Sequence, residues 1–314
     1  IERVALEEEI LNPPPPFSTD TMLREASTTM RIGVDEVMRL AQDLFELGLI
    51  TYHRTDSTRV SPVGMALAKK YLEENLSLDL YKGRSWQMGG EGAHECIRPT
   101  RPIDSSELAK LVGAGILRLS KRLERDHYRL YGLVFKRFIA SQMVPAKFEK
   151  TRIRFEVAEY SCELDLRTKL IEPGYTSILP ISVFENLPLD SLYVEECSYL
   201  KTSDVKILTQ GDAIALMKER RIGRPSTYAR ILEILSKRGY VMSVGRRGYL
   251  IPLSRGIEVY EFLSRKYPEL VSEERTRRLL EKMDRVERGL EDYQKLLAEL
   301  REELSKLGVL ARNP

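Results

Sequence analysis

The sequence predicts a multidomain α+β chain, in which a helical domain is inserted into a β-rich domain and followed by a mainly helical, winged-helix-like domain. Three observations carry this. Apolar residues recur at helical spacing from residue 18 to about 139, and again from about 206. Between those stretches, Arg152-Ile153-Arg154-Phe155-Glu156-Val157 alternates strictly, the mark of a half-buried strand. Near the end, a helix is followed at once by a short hairpin with basic residues at its tip, the order of a winged helix. A length of 314 residues suits two or three domains of about 100–200 residues each. The expected domains are residues 1–17 with 140–205 (β-rich), 18–139 (helical) and 206–314 (winged-helix-like).

Residues 1–11 read as one strand. Pro13–Pro16 then form a stiff polyproline run that fits neither a helix nor a central strand, and it is expected to act as a hinge. Ser18 can cap a helix carrying Met22, Leu23 and Ala26. Val34, Val37, Met38, Ala41, Leu44 and Phe45 mark a second helix, stopped by Gly48. Ser61-Pro62 is a cap followed by a first-turn proline, opening a helix to about Asn75. A long helix is expected from about Ile116 to Met143, with Leu119, Leu123, Leu130, Val134 and Phe138 inward. Residues 147–203 read as short strands broken at Pro173-Gly174, Pro180 and Pro188. Ser226 or Thr227 caps a helix that ends at Gly239. Tyr240–Val244 and Gly248–Leu253 form the hairpin around Gly245-Arg246-Arg247. Ser272–Leu307 reads as an amphipathic, charge-laced helical stretch.

Composition narrows the class. Apolar residues make up 42%, enough for packed cores. No apolar run reaches membrane-spanning length, and no signal peptide opens the chain, so a cytoplasmic location is expected. Cys96, Cys162 and Cys197 form no CxxC pair, which excludes a zinc ribbon and argues against a disulfide-stapled secreted domain. The chain starts at Ile1 in mid-pattern and is expected to belong to something longer. Charge is unevenly placed. Residues 218–247 hold nine basic residues against Glu219 and Glu233, a local +7 in a chain of net +3. Such a field attracts polyanions, and it equally fits a solvated, salt-bridged face. The high Arg, Glu and Lys content hints at a thermophile.

The sequence has no GxxxxGK[ST], GxGxxG or HExxH, so neither an ATP-binding P-loop nor a histidine zinc site is written in it. One segment stands out: Gly48-Leu49-Ile50-Thr51-Tyr52-His53-Arg54-Thr55-Asp56-Ser57. If it is extended, Tyr52, Arg54 and Asp56 share one side. A tyrosine oxygen can attack phosphorus, yet with a pKa near ~10 it needs help at neutral pH. An arginine two residues away would stabilise the phenolate and the phosphate charge. Gln42 and Glu46 lie i,i+4 on one helix face, so a carboxylate near Tyr52 could manage its proton. Spacing alone fits a buried tyrosine beside a surface arginine at least as well.

The segment resembles the active-site block of type IA DNA topoisomerases. Glu91-Gly-Ala-His-Glu-Cys-Ile-Arg-Pro-Thr100 resembles the family's histidine block, and Ile222-Gly-Arg-Pro-Ser-Thr-Tyr228 its GRPST block, continued by Lys237-Arg-Gly-Tyr-Val241. Asn12-Pro-Pro-Pro-Pro-Phe-Ser18 matches as well. The blocks come in the family's order and span nearly the whole chain. Their wording is most similar to the reverse gyrases, the branch in which the topoisomerase is fused to a helicase-like module.

The resemblance implies an arch-shaped fold and a definite chemistry. Tyr52 would cut one strand and hold its 5′ phosphate, Arg54 would position both, and Glu46 would share the catalytic pocket. Gln42, Thr51, Thr55, Asp56, His94 and Arg98 would contact DNA near the cut, although Arg98-Pro99 could simply shape a turn. Arg224, Thr227 and Arg238 would grip the single strand upstream. The resemblance implies Mg2+ on the acidic cluster of a Toprim domain, which precedes this region in the family, with no metal site in this chain. ATP and Zn2+ would enter only through other regions of a full reverse gyrase. DNA, above all single-stranded, is the expected partner, together with Toprim and helicase-like regions of the same protein. No membrane is involved and a monomer is expected. Leu208-Thr-Gln-Gly-Asp212 departs from the family's lead-in and leaves DNA contact there open. The alternatives are an ordinary ATP-independent topoisomerase of this type, a non-catalytic winged-helix DNA-binding protein, and a purely structural arch.

Overall fold

The computed structural model describes residues 2–86, 94–157, 160–184, 207–245 and 247–306. Packing divides the chain into two units: Ile1–Met22 with Val37–Lys206, and Leu23–Glu36 with Ile207–Pro314. The boundary passes through two helices, α1 (Thr19–Met30) and α2 (Val34–Glu46). Gly48 takes φ +66° just beyond α2, as the sequence predicts for its stop.

The first unit contains a three-stranded antiparallel sheet in the order β1 (Glu2–Leu11), β2 (Ala146–Val157), β3 (Tyr160–Glu172). The strand at the start of the chain therefore pairs with one that begins 135 positions beyond its own end, Leu11 opposite Ala146. Charged residues on the sheet pair across strands, Glu9 with Arg167 at 2.6 Å and Arg152 with Asp165 at 2.8 Å. β2 and β3 are long and continuous to Glu172, where short strands were expected. The break at Pro173-Gly174 is real: a 3₁₀ turn follows over Gly174–Ser177, and a Cβ on Gly174 would lie 2.1 Å from the Pro145 carbonyl oxygen. The break expected at Pro188 lies outside the described residues.

Among the described residues this unit also holds the α-helices α3 (Pro62–Asn75), α4 (Ser105–Gly113) and α5 (Arg125–Ser141). α3 has the predicted start, the Ser61 hydroxyl accepting from the Gly64 N–H with proline in the first turn. α5 is shorter than expected. The apolar spacing does run back to Ile116, but Ile116 is exposed, and the helix starts only where a cap exists. The Glu124 N–H donates to Nδ1 of His127, whose Nε2 lies 3.0 Å from the Asp43 carboxylate. Lys121 also reaches Asp43, tying α2 to the segment just before α5, and Arg39 pairs with it within α2. The hydrogen bonds from Lys121 and His127 hold the Asp43 carboxyl below the ordinary aspartate value against the opposing effect of burial. The core is built from Phe17, Leu40, Leu44, Ile50, Leu72, Ile97, Tyr131, Phe135 and Phe138, with Phe148 from the sheet, all fully enclosed. Pro13 and Pro16 are buried, and Arg137 of α5 donates to the Pro15 carbonyl at 2.7 Å, so the polyproline run is packed rather than loose.

The second unit holds α6 (Gln210–Glu219), α7 (Tyr228–Lys237), the hairpin β4 (Val241–Val244) and β5 (Tyr249–Pro252), then α8 (Ser254–Lys266), α9 (Glu273–Glu287) and α10 (Tyr293–Lys306). The helix-then-hairpin order is as predicted. The segment that departs from the family's lead-in is a helix start: Thr209 and Asp212 cap α6 reciprocally, each side chain taking the other's backbone N–H at 3.1 Å. The expected stretch from Ser272 to Leu307 is two helices, because Gly289 takes φ +69° between them. Arg275–Glu303 and Lys282–Glu299 pairs bind α9 to α10 around the buried Leu296.

Candidate active site

The segment after α2 is not paired into a sheet, yet its side chains alternate. Tyr52, Arg54 and Asp56 are exposed, while His53 and Thr55 are buried and Thr51 is half-buried. Tyr52 is 43% exposed, high for an aromatic ring in a packed unit. Its ring meets Phe45 edge-on at 5.3 Å and His53 at 5.7 Å, and lies 6.3 Å from the ring of His94. The hydroxyl is thus carried on a ring that is braced from beneath.

A polar row stands beside it. Arg54 Nη2 donates to Gln42 Oε1 at 3.4 Å, and Gln42 Nε2 donates to Glu46 Oε1 at 2.6 Å. The i,i+4 face of α2 and the outward face of the segment therefore meet, as the spacing predicts. Tyr52, Arg54, Gln42, Glu46 and His94 are brought into one neighbourhood. Asp56 is exposed on the same side of the segment.

Three residues expected to contact DNA have their side-chain polar groups bonded within the protein. Arg98 is 7% exposed, and its guanidinium faces inward. Nε and Nη2 grip both oxygens of Glu95 at 2.7 and 3.0 Å, and Nη1 donates to the Pro99 carbonyl. Glu95 also accepts from the Ser61 N–H and hydroxyl. Burial alone would raise the Glu95 pKa, but the bonds from Arg98 and Ser61 outweigh it and hold it below the ordinary glutamate value. The Thr51 hydroxyl donates to the Cys96 carbonyl at 2.7 Å and accepts from the Arg98 N–H at 2.9 Å. Thr55 is enclosed, its hydroxyl accepting from the Ser57 N–H. All three hold the exposed residues in place. Glu91–Ala93 of the histidine block lie outside the described residues.

Two neighbours carry no sequence signal. The ring of His53 is fully buried, and neither of its nitrogens has a hydrogen-bond partner among the described residues. Burial, and then the Arg54 charge, lower its pKa to about 4 against a smaller opposing pull from Glu46, so it is neutral. Thr19 opens α1 against the same segment: its N–H donates to the Thr55 carbonyl at 2.8 Å, and its hydroxyl accepts from the Thr55 N–H at 2.8 Å. That hydroxyl also lies 2.8 Å from the His53 carbonyl oxygen.

In the second unit, the Thr227 hydroxyl accepts from the Arg224 N–H and donates to the Arg224 carbonyl. It closes a turn there; Thr227 is the N-cap residue of α7, but its side chain makes no cap bond. Arg224 Nη2 donates to Asp284 at 2.6 Å and to the Leu280 carbonyl at 3.1 Å, both on α9. Arg220 and Arg221 likewise face Glu273 and Glu281 of α9. Arg238, at the end of α7, is exposed and has no side-chain partner among the described residues. Arg246, at the hairpin tip, lies outside them. No group of three His, Cys, Asp or Glu side chains able to hold a metal occurs among the described residues, so these residues do not fit a resident Mg2+. No helix among them is long and apolar enough to cross a membrane.

The chain belongs to the type IA DNA topoisomerases: the family model described as DNA topoisomerase matches residues 1–298. Within it, the chain is similar to reverse gyrases. It is 45% identical over 307 residues to the reverse gyrase of Pyrobaculum aerophilum, covering 98% of this chain and 25% of that protein. It is 49% identical over 303 residues to reverse gyrase 1 of Aquifex aeolicus, covering 96% and 26%. The chain thus spans about a quarter of the length of these relatives. Among solved structures, full-length topoisomerase I from Thermotoga maritima superposes with a TM-score of 0.78 at 30% identity, over 96% of this chain and 51% of that one.

Proposed function

We propose that this chain is the strand-cutting portion of a reverse gyrase-like type IA topoisomerase. The observation that carries the reading is the shared exposed face of Tyr52 and Arg54, with Gln42 and Glu46 alongside. The Tyr52 oxygen attacks a backbone phosphorus, the bond from phosphorus to the 3′ oxygen breaks, and the tyrosine's proton ends on the freed 3′ hydroxyl. The 5′ phosphate stays on Tyr52. One phosphodiester replaces another, so rejoining runs the same step backwards with no energy input. Arg54 holds the phosphate charge during the exchange. Glu46, at the end of the polar row, is the candidate for moving the proton.

His94, Gln42 and Asp56 line the cut strand in this reading, and Arg224, Thr227 and Arg238 hold it upstream. Mg2+ belongs to a Toprim domain, ATP and Zn2+ to helicase-like and zinc regions, of the kind that complete such enzymes. ATP-driven positive supercoiling is then the activity of a whole protein of that type, a monomer acting in the cytoplasm. An arch that opens to pass a second strand follows from the same family reading. The alternative is relaxation of negative supercoils without ATP, and similarity to reverse gyrases over nearly the whole chain favours the former.

The test is Tyr52→Phe in the complete protein. Denaturing gels of labelled single-stranded DNA after a detergent quench should show a covalent protein–DNA band for the native protein and none for the variant, while DNA binding stays nearly intact. A persisting band would mean another nucleophile.

A further inference from the structure

We propose that Thr19 is a positioning residue for the Tyr52 nucleophile, an inference that rests on the strand-cutting reading above. Thr19 is fully buried and is the first residue of α1. Its hydroxyl lies 2.8 Å from the His53 carbonyl oxygen and 2.9 Å from that of Thr55. The same oxygen accepts the Thr55 N–H, and the Thr19 N–H returns to the Thr55 carbonyl. One residue therefore serves both alternate carbonyls that flank Arg54, on the inward edge of the segment.

In an extended chain, residues i and i+2 share a side, so fixing the inward edge at 53 and 55 points 52, 54 and 56 outward. On the other side of Tyr52, Thr51 makes the matching bonds to Cys96 and Arg98. The nucleophile is thus slung between two threonine hydroxyls, one on its own segment and one 33 positions earlier in sequence. Neither touches the reacting atoms. Their effect is on where the tyrosine oxygen sits, and displacement of about 1 Å at a reacting group costs on the order of 100-fold in rate. The same fixity matters for rejoining, because the phosphate on Tyr52 must come back to its 3′ hydroxyl.

A hydroxyl in a core can be merely structural, and the test separates the two roles. Thr19→Ser keeps the hydroxyl, Thr19→Cys weakens it, and Thr19→Val removes it at similar volume. In the complete protein, the rate of covalent adduct formation and the affinity for single-stranded DNA are measured for each, with Tyr52→Phe in parallel. The expected result is a graded loss of rate, within about threefold for Ser, at least about tenfold for Val and intermediate for Cys, with affinity unchanged within about twofold. A Val or Cys variant that cleaves at the native rate overturns the proposal. So does a loss of affinity that tracks the loss of rate. If the Val variant does not fold, the Ser and Cys pair decides by the same criteria. An adduct still formed by Tyr52→Phe would instead overturn the nucleophile assignment itself.

Discussion

The Arg224 guanidinium lies 2.6 Å from the Asp284 carboxylate, so an internal acid occupies an arginine that the family reading places on DNA phosphate. Arg220 and Arg221 meet acids of the same helix, and Glu233 takes Arg230 and Lys237. Much of the positive charge seen in residues 218–247 is neutralised at home. The pairs are partly exposed, and each is worth about 1 kcal/mol or less, so a phosphate can compete for the arginine.

Asp284→Asn should therefore tighten binding of single-stranded DNA by about two- to fivefold at moderate salt. The dependence of affinity on salt should steepen, by about 0.7 in log–log slope for an arginine newly free to release a counterion. Fluorescence anisotropy across a salt series reads both. Unchanged affinity and slope would mean that Arg224 stays on α9 when DNA binds.

Arg98→Ala should behave as a stability variant rather than a DNA-contact variant. It leaves Glu95 half-enclosed without its partner, which costs about 3 kcal/mol in unfolding experiments. Affinity for single-stranded DNA, measured where the variant remains folded, should hardly change. A large affinity loss with normal stability would place Arg98 on the DNA after all.

His53 makes stability depend on pH. Its folded pKa of about 4 lies below the ordinary 6.5, so protonation favours the unfolded chain. Its contribution is fully present above pH 6.5 and is lost as pH falls towards 4. Denaturant unfolding of the native chain should lose about 1–3 kcal/mol over that interval that His53→Leu does not lose. The leucine variant should also match or exceed native stability at pH 7, since it removes two buried nitrogens without partners. Parallel pH curves for the two proteins would show that His53 is solvated or bonded in solution.

The chain by itself should bind single-stranded DNA, with affinity falling steeply as salt rises, and should hydrolyse no ATP. It should form little or no covalent adduct, because the family's acidic Mg2+ cluster has no counterpart among its described residues. Robust Mg2+-dependent cleavage by this chain would show that the acids sit within it.

Much of this was legible in the sequence because the signals are local. The Ser61-Pro62 start, the Gly48 stop and the hairpin after α7 each depend on a few adjacent residues. That Tyr52, Arg54, Gln42 and Glu46 come together was legible for the same reason, a period-two segment beside an i,i+4 helix face. What was not legible is which partner a side chain takes. Thr19 meets Thr55 across 36 positions, and nothing near either residue announces it. Arg98 looked like a ligand for phosphate because an arginine's partner cannot be read from its own position. Glu95, three residues before it, turns it inward. The extra length assigned to α5 came from apolar spacing that continues past the point where His127 and Asp43 set the start.

The in-and-out order of residues 51–56 gives the segment a parity. Inserting one residue between Thr51 and Tyr52 would exchange the faces, sending the tyrosine into the core and the histidine to solvent. A change of two would restore the faces but move the hydroxyl by about 7 Å, one full strand repeat. Its length behaves as a digital property: the Tyr52 hydroxyl is either presented or lost, with no graded state between.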